Sequence, residues 1–304
     1  MMQPDPSGVV IVDKPDGATS AKVLARVKSL YRAKKAGHAG TLDPFATGVL
    51  VCCLNQATRL ARFFLHGRKK YWGTLHLGID TDTQDLTGRV LAEKSTAGIK
   101  TEDVQTAMAL FQGTIAQVPP VYSALKHKGT PLYRLARSGN PVQKPPRQVT
   151  IDRLTILEVA IPQVHFEVTC SAGTYIRTLC ADVGRRLGCG GHLQALQRLE
   201  SSGFTLDEAV SLDDLEQLAA DGNPASRLIP MADTLRGMPE VTADRHMADR
   251  IVQGQQVMRS DLIEKLDLAP ETAFKVLDNA GRLLAVMSLP KDGQRLNYSC
   301  VFNR

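Results

Sequence analysis

A single acidic residue, Asp43, lies within the most basic stretch of the chain. Residues 22–70 contain eleven lysines and arginines, and Asp43 is the one acid among them. A basic surface attracts anions, and a carboxylate on that surface weakens the attraction. The presence of Asp43 in the basic stretch therefore calls for a specific role. Ionised carboxylates serve enzymes as nucleophiles or general bases, and the alternative is a structural acid that caps a helix or closes a turn. Spacing alone leaves both interpretations open.

The residues around Asp43 predict an exposed loop. It lies in GHAGTLDPFATG, residues 37–48. Pro44 disfavours helical backbone at the residue before it, and the three glycines of the segment allow close approach to a ligand. This segment therefore indicates a loop that presents one carboxylate to a bound molecule.

Positive charge is concentrated in two segments of an otherwise acidic chain. Residues 22–70 and 119–149 together have a net charge of +16, whereas the rest of the 304 residues has −10. The second segment has no acid and six basic residues, which are Lys126, Lys128, Arg134, Arg137, Lys144 and Arg147. This segregation is typical of a protein that binds nucleic acid, and a cationic surface kept for solubility is the alternative.

Length and composition exclude several protein classes. A chain of 304 residues predicts about two domains and can bury a large core without disulfides or metals. An apolar fraction of 43% and a charged fraction of 22% exclude a disordered or collagen-like chain. No apolar run reaches the ~18 residues that span a bilayer, and the acidic N-terminus does not resemble a targeting peptide. Six cysteines without a CxxC pair favour a reducing compartment, so we expect a cytoplasmic protein.

Hydrophobic patterns and turn residues predict mixed α and β elements rather than a regular βαβ series. The predicted strands are residues 8–13, 48–54, 70–79, 149–160 and 163–170, and one more after a break at 188–191. The predicted helices begin at Thr19 or Ser20 and at Thr101, and cover 57–65, 174–187 and 203–222. Residues 33–48 are predicted as a loop.

Two further segments differ in character from the predicted core. Residues 113–149 contain six prolines and predict an inserted loop region with a small helix around Leu132–Ser138. From about residue 240, a helix precedes short strands near 272–277, 282–287 and 297–302. These patterns predict a small β-rich module at 240–304 that follows a catalytic-size domain at 1–235.

Five segments, in order along the chain, resemble the bacterial tRNA pseudouridine synthase B family, often called the TruB family. GHAGTLDPFATGVL (37–50) resembles its catalytic motif, and VIVDKPDGATS (10–20) its N-terminal motif. KYWGTLHLGIDTDTQD (70–85) resembles its tyrosine-bearing strand and the following loop. PPVYSALK (119–126) is similar to part of its RNA-gripping insertion, and GTYIRTLCADVGRRLGCGGHLQALQRL (173–199) to its arginine and leucine motifs.

The resemblance implies an α+β protein with a pseudouridine synthase catalytic fold. A central mixed, largely antiparallel sheet, an RNA-gripping thumb at about 113–149 and a C-terminal barrel similar to a PUA domain belong to that expectation. The implied substrate is uridine 55 in the T-loop of tRNA, and the product is pseudouridine. The N1–C1′ bond breaks, the base turns and a C5–C1′ bond forms, with no cofactor, metal or guide RNA. We further expect a monomer.

The resemblance also assigns roles to individual residues. Asp43 matches the essential aspartate and Arg177 the arginine that pairs with it. Tyr71 matches the active-site tyrosine that stacks on the base, and Leu196 an apolar residue that lines the pocket. His38 matches the histidine that takes the place of the extruded base. Without the resemblance, Arg177 would be interpreted as a surface helix residue, and Tyr71 and Leu196 as ordinary strand and core residues.

Supporting roles follow for five more residues. Lys14 and Ser20 match a motif that braces the catalytic loop. Lys126, Arg134 and Arg147 are predicted to contact phosphates, because proteins recognise RNA shape largely through its backbone and 2′-hydroxyls. Cys189 and His192 have the spacing of metal ligands, but no second pair faces them in the sequence, so no metal site is predicted.

Two other functions compete with tRNA modification. An RNA-binding or RNA-folding protein without catalysis would also use the basic segments, yet it has no need of an isolated acid; Asp43, Arg177 and Tyr71 together favour catalysis. A relative that modifies rRNA under a guide RNA is disfavoured, because this chain lacks long basic tails.

Overall fold

Two β-sheets organise the molecule. The structure, a computed structural model, describes residues 6–262, 268–269, 271–291 and 294–302. The strands are β1 (Gly8–Lys14), β2 (Ala36–His38), β3 (Thr47–Leu54), β4 (Lys69–Leu77), β5 (Ile79–Thr81), β6 (Val90–Glu93), β7 (Gly113–Gln117), β8 (Lys126–His127), β9 (Thr130–Pro131), β10 (Arg147–Ala160), β11 (Gln163–Cys170), β12 (Gly191–Ser201), β13 (Phe204–Thr205), β14 (Val210–Ser211), β15 (Ile229–Pro230), β16 (Glu240–Thr242), β17 (Ala273–Leu277), β18 (Leu283–Ser288) and β19 (Asn297–Val301). The α-helices are α1 (Ser20–Leu30), α2 (Ala61–Leu65), α3 (Thr101–Ala109), α4 (Leu132–Arg137), α5 (Ile176–Arg186), α6 (Leu212–Ala220), α7 (Met231–Thr234), α8 (Arg245–Val252) and α9 (Arg259–Leu262).

The large sheet is mixed and mainly antiparallel, as predicted. Its strand order is β14-β1-β3-β12-β4-β11-β10-β7, with β2, β13 and β15 paired at its margins. The pairs β1–β14 and β3–β12 are parallel, and the other neighbours along this path are antiparallel. The pair β3–β12 joins distant parts of the chain, so it brings the Asp43 segment beside the leucine motif.

Helices cover one face of this sheet in two groups. Helices α1 and α6 pack on β1 and β3 through an apolar cluster that includes Val23, Val27 and Leu215. Helices α3 and α5 pack on β4, β11 and β12 through a second cluster that includes Met108 and Leu179. Burying these apolar side chains stabilises the fold by roughly 1.5–3 kcal/mol each. The loop that carries Asp43 joins β2 to β3, between the two helix groups.

The C-terminal residues form a smaller sheet that is packed against the rest of the molecule. Its order is β16-β17-β18-β19, and helix α8 covers one side of it. Leu283 and Phe302 join an apolar cluster with Ile11 and Phe64 of the large domain. In the described part of the chain the two edge strands are not paired with each other, so the predicted closed barrel is not confirmed, and a PUA-like module stays a prediction.

Two segments predicted as loops contain strands in the structure. The predicted loop 33–48 contains β2, which pairs with β3 and carries His38. The predicted insertion 113–149 includes the edge strand β7 and the start of β10, so only residues 118–146 leave the sheet. Short patterns at sheet edges are hard to distinguish from loops, because half of the backbone there pairs with nothing.

The predicted acidic helix at 203–222 is wrong over its first half. Ser202 and Gly203 have positive φ angles and turn the chain into β13, which pairs back onto β12. Glu208 then accepts hydrogen bonds from the Thr205 backbone and hydroxyl, which caps a single 3₁₀ turn (Leu206–Glu208) rather than an α-helix. The helix α6 begins only after Ser211, whose hydroxyl accepts the Asp214 N–H at 3.0 Å.

Candidate active site

Two buried polar side chains form hydrogen bonds to the backbone of the loop that carries Asp43. The Ser20 hydroxyl donates to the Leu42 carbonyl at 3.0 Å and accepts the Leu42 N–H at 2.9 Å. The Lys14 ammonium donates to the carbonyls of Pro15, Ala18 and Pro44 at 2.7, 2.7 and 3.0 Å. Both side chains therefore fix the backbone on either side of Asp43, in agreement with the bracing motif that the sequence resembles.

Arg177 meets the Asp43 carboxylate at two points. Its Nε lies 2.9 Å from Asp43 Oδ2, and its Nη2 lies 3.3 Å from Asp43 Oδ1. The Arg177 side chain is 5% exposed, whereas that of Asp43 is 34% exposed. The planar fork of an arginine matches two carboxylate oxygens, so the pair fixes the orientation of a carboxylate that a ligand can still reach.

Other groups hold Arg177 from its far side. Its Nη1 donates to the Thr83 carbonyl at 3.0 Å, and its Nη2 donates to the Tyr122 carbonyl at 2.9 Å. Asp85 Oδ2 lies 3.4 Å from Arg177 Nη1. The guanidinium is therefore oriented by protein groups on more than one side.

Asp85 is a buried carboxylate that the sequence analysis missed. Its Oδ1 accepts the Thr87 N–H at 3.0 Å and the hydroxyls of Thr83 and Thr87 at 2.7 and 2.6 Å. The segment TDTQDLT offered a signal, since threonines and aspartates two apart favour such side-chain turns. With Arg177 shared between Asp43 and Asp85, the three side chains form one ionic network.

Opposing effects set the ionisation of Asp43. Burial raises the pKa of this carboxyl above its ordinary value, the positive charge of Arg177 lowers it, and the negative charge of Asp85 raises it again. Lys14 also favours the ionised form, and the pKa of Lys14 itself is lowered to about 8 by burial. The cations thus oppose the effect of desolvation and favour the ionised form of Asp43.

Tyr71 and Leu196 form an apolar floor beside the ion pair. They lie on β4 and β12 in one apolar cluster with Leu42 and Ala46 from the Asp43 loop. Tyr71 and Leu196 are 9% and 8% exposed. Burial raises the pKa of the Tyr71 phenol, so it remains protonated at neutral pH. The structure thus brings together Asp43, Tyr71, Arg177 and Leu196.

His38 lies on β2, the strand that leads into the Asp43 loop. It is half-buried on β2, opposite Cys52. Burial, together with the charge of Arg198, lowers the pKa of His38, so the ring is neutral at neutral pH. Its Nδ1 is buried without a hydrogen-bond partner among the described residues. A neutral, partly exposed ring is suited to stacking on a base.

The three predicted phosphate contacts lie in different surroundings. Lys126 and Arg134 are exposed on the thumb, defined here as residues 118–146, where Arg134 lies 6.0 Å from the Tyr133 ring. Arg147 lies outside the thumb on β10, donates to the Gly173 carbonyl and covers the Tyr175 ring at 4.9 Å. Arg147 therefore also braces the turn before α5, the helix that carries Arg177.

The thumb is anchored directly to the ion-pair network. Through its carbonyl, Tyr122 accepts from Arg177, as described above. Next to it, Gln117 Nε2 donates to the Tyr175 carbonyl at 3.0 Å, and Gln117 Oε1 accepts the Tyr175 N–H at 2.7 Å. The base of the thumb and the start of α5 are thus fixed to each other.

Arg198 is a second functional candidate that the sequence analysis missed. It is 1% exposed on β12, two residues after Leu196, and donates to the backbone on both sides of the Asp43 loop. An alternating strand gives no sign of a buried arginine, because its place in the pattern is that of an ordinary inward residue.

The possible metal ligands Cys189 and His192 have other partners. The Cys189 thiol donates to the Gly190 carbonyl at 3.1 Å, and the His192 ring stacks on His76 with centroids 5.2 Å apart. Within the described residues no group of three or more histidines, cysteines and carboxylates is placed to hold a metal. Nor does any described helix have the length and apolar composition needed to cross a membrane.

Two family models match adjoining parts of the chain. "TruB family pseudouridylate synthase (N terminal domain)" matches residues 28–176, and "tRNA pseudouridylate synthase B C-terminal domain" matches residues 177–237. Together they include Asp43, Tyr71 and Arg177.

Similar proteins named tRNA pseudouridine synthase B align over nearly the whole chain. One from Syntrophus aciditrophicus (strain SB) is 44% identical over 281 residues, which cover 92% of this chain and 90% of the relative. One from Burkholderia mallei (strain NCTC 10247) is 44% identical over 279 residues and covers 92% of each.

Solved structures share the fold at lower identity. The protein in "Crystal Structure of a Cbf5-Nop10-Gar1 Complex" has a TM-score of 0.75 at 25% identity, covering 98% of this chain and 84% of that one. The protein in "Structure of H/ACA RNP bound to a substrate RNA containing 2'-deoxyuridine" has a TM-score of 0.74 at 23% identity, covering 100% and 92%. The mixed sheet with its two helix groups is thus a pseudouridine synthase fold.

Proposed function

The chain belongs to the TruB family of pseudouridylate synthases, and from this premise we propose that it converts uridine 55 in the T-loop of tRNA to pseudouridine. Pseudouridine synthesis on tRNA follows from its relatives. The observation that supports the assignment to this site is the Asp43–Arg177 ion pair, because it presents an oriented, partly exposed carboxylate between the apolar floor and the base of the thumb.

In this proposal, Asp43 acts in its ionised form on the bound nucleotide. As a nucleophile it displaces N1 from C1′ of the ribose, and C5 later displaces the carboxylate; alternatively it adds to C6 of the base and is eliminated once the C5–C1′ bond has formed. As a base it removes the C2′ proton while the N1–C1′ bond breaks, and it returns that proton while the C5–C1′ bond forms. The released base turns, C5 bonds to C1′, the hydrogen leaves C5, and N1 ends protonated. Arg177 keeps the carboxylate ionised and aimed, while Tyr71 stacks on the base and Leu196 lines the pocket.

The target uridine has to leave its loop before Asp43 can reach it. Unstacking a base costs a few kcal/mol, and a side chain that takes its place offsets part of that cost. His38 is neutral and half-exposed beside the site, so we assign it this role. The exposed cations of the thumb would hold the surrounding phosphates.

Loss of the hydrogen at C5 gives a direct test. A tRNA transcript labelled with tritium at uridine C5 should release tritium to water in stoichiometric amount per site modified. The matched substrate is the same transcript with cytidine in place of uridine 55, which should release none. Equal release from both transcripts would contradict the assignment to position 55.

The pH dependence of the rate should follow the ionisation of Asp43. Burial places the pKa of Asp43 above its ordinary value of 3.8, so the inactive, protonated form persists to higher pH than for an exposed aspartate. The single-turnover rate should therefore rise with pH through a midpoint above 3.8 and level off once Asp43 is ionised. Rates measured between about pH 4 and pH 8 test this; a rate that is flat over this range would contradict it.

Neutralising the thumb should weaken tRNA binding more than chemistry. The quadruple glutamine variant replaces four exposed cations, which are Lys126, Lys128, Arg134 and Arg137. A plot of log affinity against log salt concentration has a negative slope, and each lost phosphate contact should make that slope shallower by roughly 0.7–0.9. The rate at saturating tRNA should change less than the affinity, unless closure of the thumb itself limits turnover.

A matched variant separates local contacts from total charge. It replaces four exposed cations outside both basic segments, which are Lys94, Lys100, Arg153 and Arg186. Titrations of tRNA at several salt concentrations should show a reduced slope only for the thumb variant. The same affinity and slope in the thumb variant as in the wild type would mean that this charge is solvated surface.

Four further features belong to the proposal. We infer that the protein acts as a monomer in the cytoplasm. It needs no guide RNA in this proposal, because the exposed cations of the thumb offer contacts to tRNA itself. Binding through these cations also suits assistance in tRNA folding, which would persist in a variant that lacks Asp43. A tRNA refolding assay with Asp43→Asn separates that second function from catalysis.

A further inference from the structure

We propose that Arg198 is a positioning residue that holds both ends of the Asp43 loop against β12, the neighbour of the strand that carries Tyr71. The inference rests on the proposed role of Asp43 and adds a residue that contacts neither the carboxylate nor the exposed surface.

Arg198 joins two points of the backbone that flank Asp43. Its Nε donates to the Val49 carbonyl at 2.7 Å, and its Nη2 donates to the Gly40 carbonyl at 3.0 Å. Gly40 precedes Asp43 by three residues and Val49 follows it by six, so one rigid guanidinium closes the loop at its base. A lysine ammonium is a single point on a flexible stem and does not reproduce this two-point geometry.

The strand register places Arg198 in a row with other site residues. Lys14, Gly48, Arg198 and Tyr71 lie opposite one another on β1, β3, β12 and β4. A Cβ atom on Gly48 would lie 2.3 Å from the Arg198 carbonyl oxygen, and Gly48 has a φ of +97°. Glycine therefore permits the close approach of β3 and β12 that puts Arg198 beneath the loop.

Arg198 differs in its surroundings from a buried arginine that stabilises a fold through an ion pair. Among the described residues it has no carboxylate within salt-bridge distance, although it is 1% exposed. An unpaired buried charge is costly to a fold, so a role in stability alone does not explain it. Its charge acts on the site: it opposes the rise that burial causes in the pKa of Tyr71 and adds to the fall in that of His38.

Arg198→Met and Arg198→Lys test the positioning role. Displacing a reacting group by about 1 Å can cost a hundredfold in rate, so we expect Arg198→Met to lower the single-turnover rate about a hundredfold. The Kd for tRNA should change less than about threefold, because Arg198 is buried away from the RNA. Arg198→Lys should regain less than about a tenth of the rate that Arg198→Met loses relative to wild type.

Lys69→Met is the matched control for loss of a buried cation. Lys69 is 6% exposed and also donates to backbone carbonyls, those of Phe64, Leu65 and Gly67, which lie outside the Asp43 loop. Thermal unfolding curves give the fraction of each variant that is folded at the assay temperature, and rates are compared at equal concentrations of folded protein. We expect Lys69→Met to stay within about threefold of the wild-type rate.

Three outcomes would overturn the inference. These are a rate for Arg198→Met within about threefold of wild type, an equal loss in Lys69→Met, or a weakening of tRNA binding as large as the loss of rate. Failure of the proposed function looks different, since wild type and Asp43→Asn would then form pseudouridine equally well or not at all.

Discussion

Asp43→Asn is expected to abolish pseudouridine formation while tRNA still binds. Asparagine keeps the size of the side chain but neither attacks carbon nor accepts a proton as a carboxylate does. Positioned acid–base groups contribute about 10²–10⁴-fold, and we expect a loss at the upper end of that range. Removing a negative charge from the basic surface also reduces repulsion of phosphates, so affinity should be equal or higher.

The test of Asp43 combines tRNA binding with single-turnover formation of pseudouridine. Asp16→Asn is the matched control, because Asp16 is an exposed carboxylate near Lys14 and its hydrogen bond to the Gly17 N–H survives in asparagine. The control should keep its rate. Substantial turnover by Asp43→Asn would remove Asp43 from the mechanism.

Arg177→Met is expected to lose rate by at least about a hundredfold, and Arg177→Lys should not restore it. Arg177 contacts both oxygens of Asp43 and two backbone carbonyls, so methionine frees the carboxylate and leaves Asp85 without its cation. Breaking a buried pair costs roughly 3–5 kcal/mol. Lysine supplies charge without the planar fork.

A shift in the pH profile separates catalysis from folding. Arg177 lowers the pKa of Asp43, so without that charge the acidic limb of the rate profile should move to higher pH. Arg185→Met, at an exposed position of the same helix, should leave both rate and profile unchanged. Near wild-type rates in both Arg177 variants would show that no such pair operates in the reaction.

Patterns in the sequence predicted elements better than the contacts between them. The alternation of β10 and β11 and the amphipathic pattern of α1 gave strands and a helix close to those observed. Charge alone singled out Asp43, but it left open whether this residue is catalytic or structural. Its partner Arg177 lies 134 residues away, and only the family resemblance linked the two, because no local pattern encodes a contact across that distance.

The residues that the sequence analysis missed are buried polar groups. Asp85 and Arg198 occupy positions that the strand and turn patterns treat as ordinary. The contacts of Asp85 depend on where α5 places Arg177, and those of Arg198 depend on the parallel pairing of β3 with β12. Which distant strands pair depends on the topology of the whole sheet, and no local sequence pattern encodes it. The half-wrong helix at 203–222 has a similar cause, since the turn at Ser202 returns the chain to β12 and the α-helix begins only after Ser211.

One measurement tests the central claim most directly: site-resolved mapping of pseudouridine in an unmodified tRNA transcript after incubation with the purified protein alone. We predict pseudouridine at position 55 with wild type, without metal, cofactor or guide RNA, and none with Asp43→Asn. Modification at another position, or an unmodified transcript after incubation with the folded wild-type protein, would contradict the account.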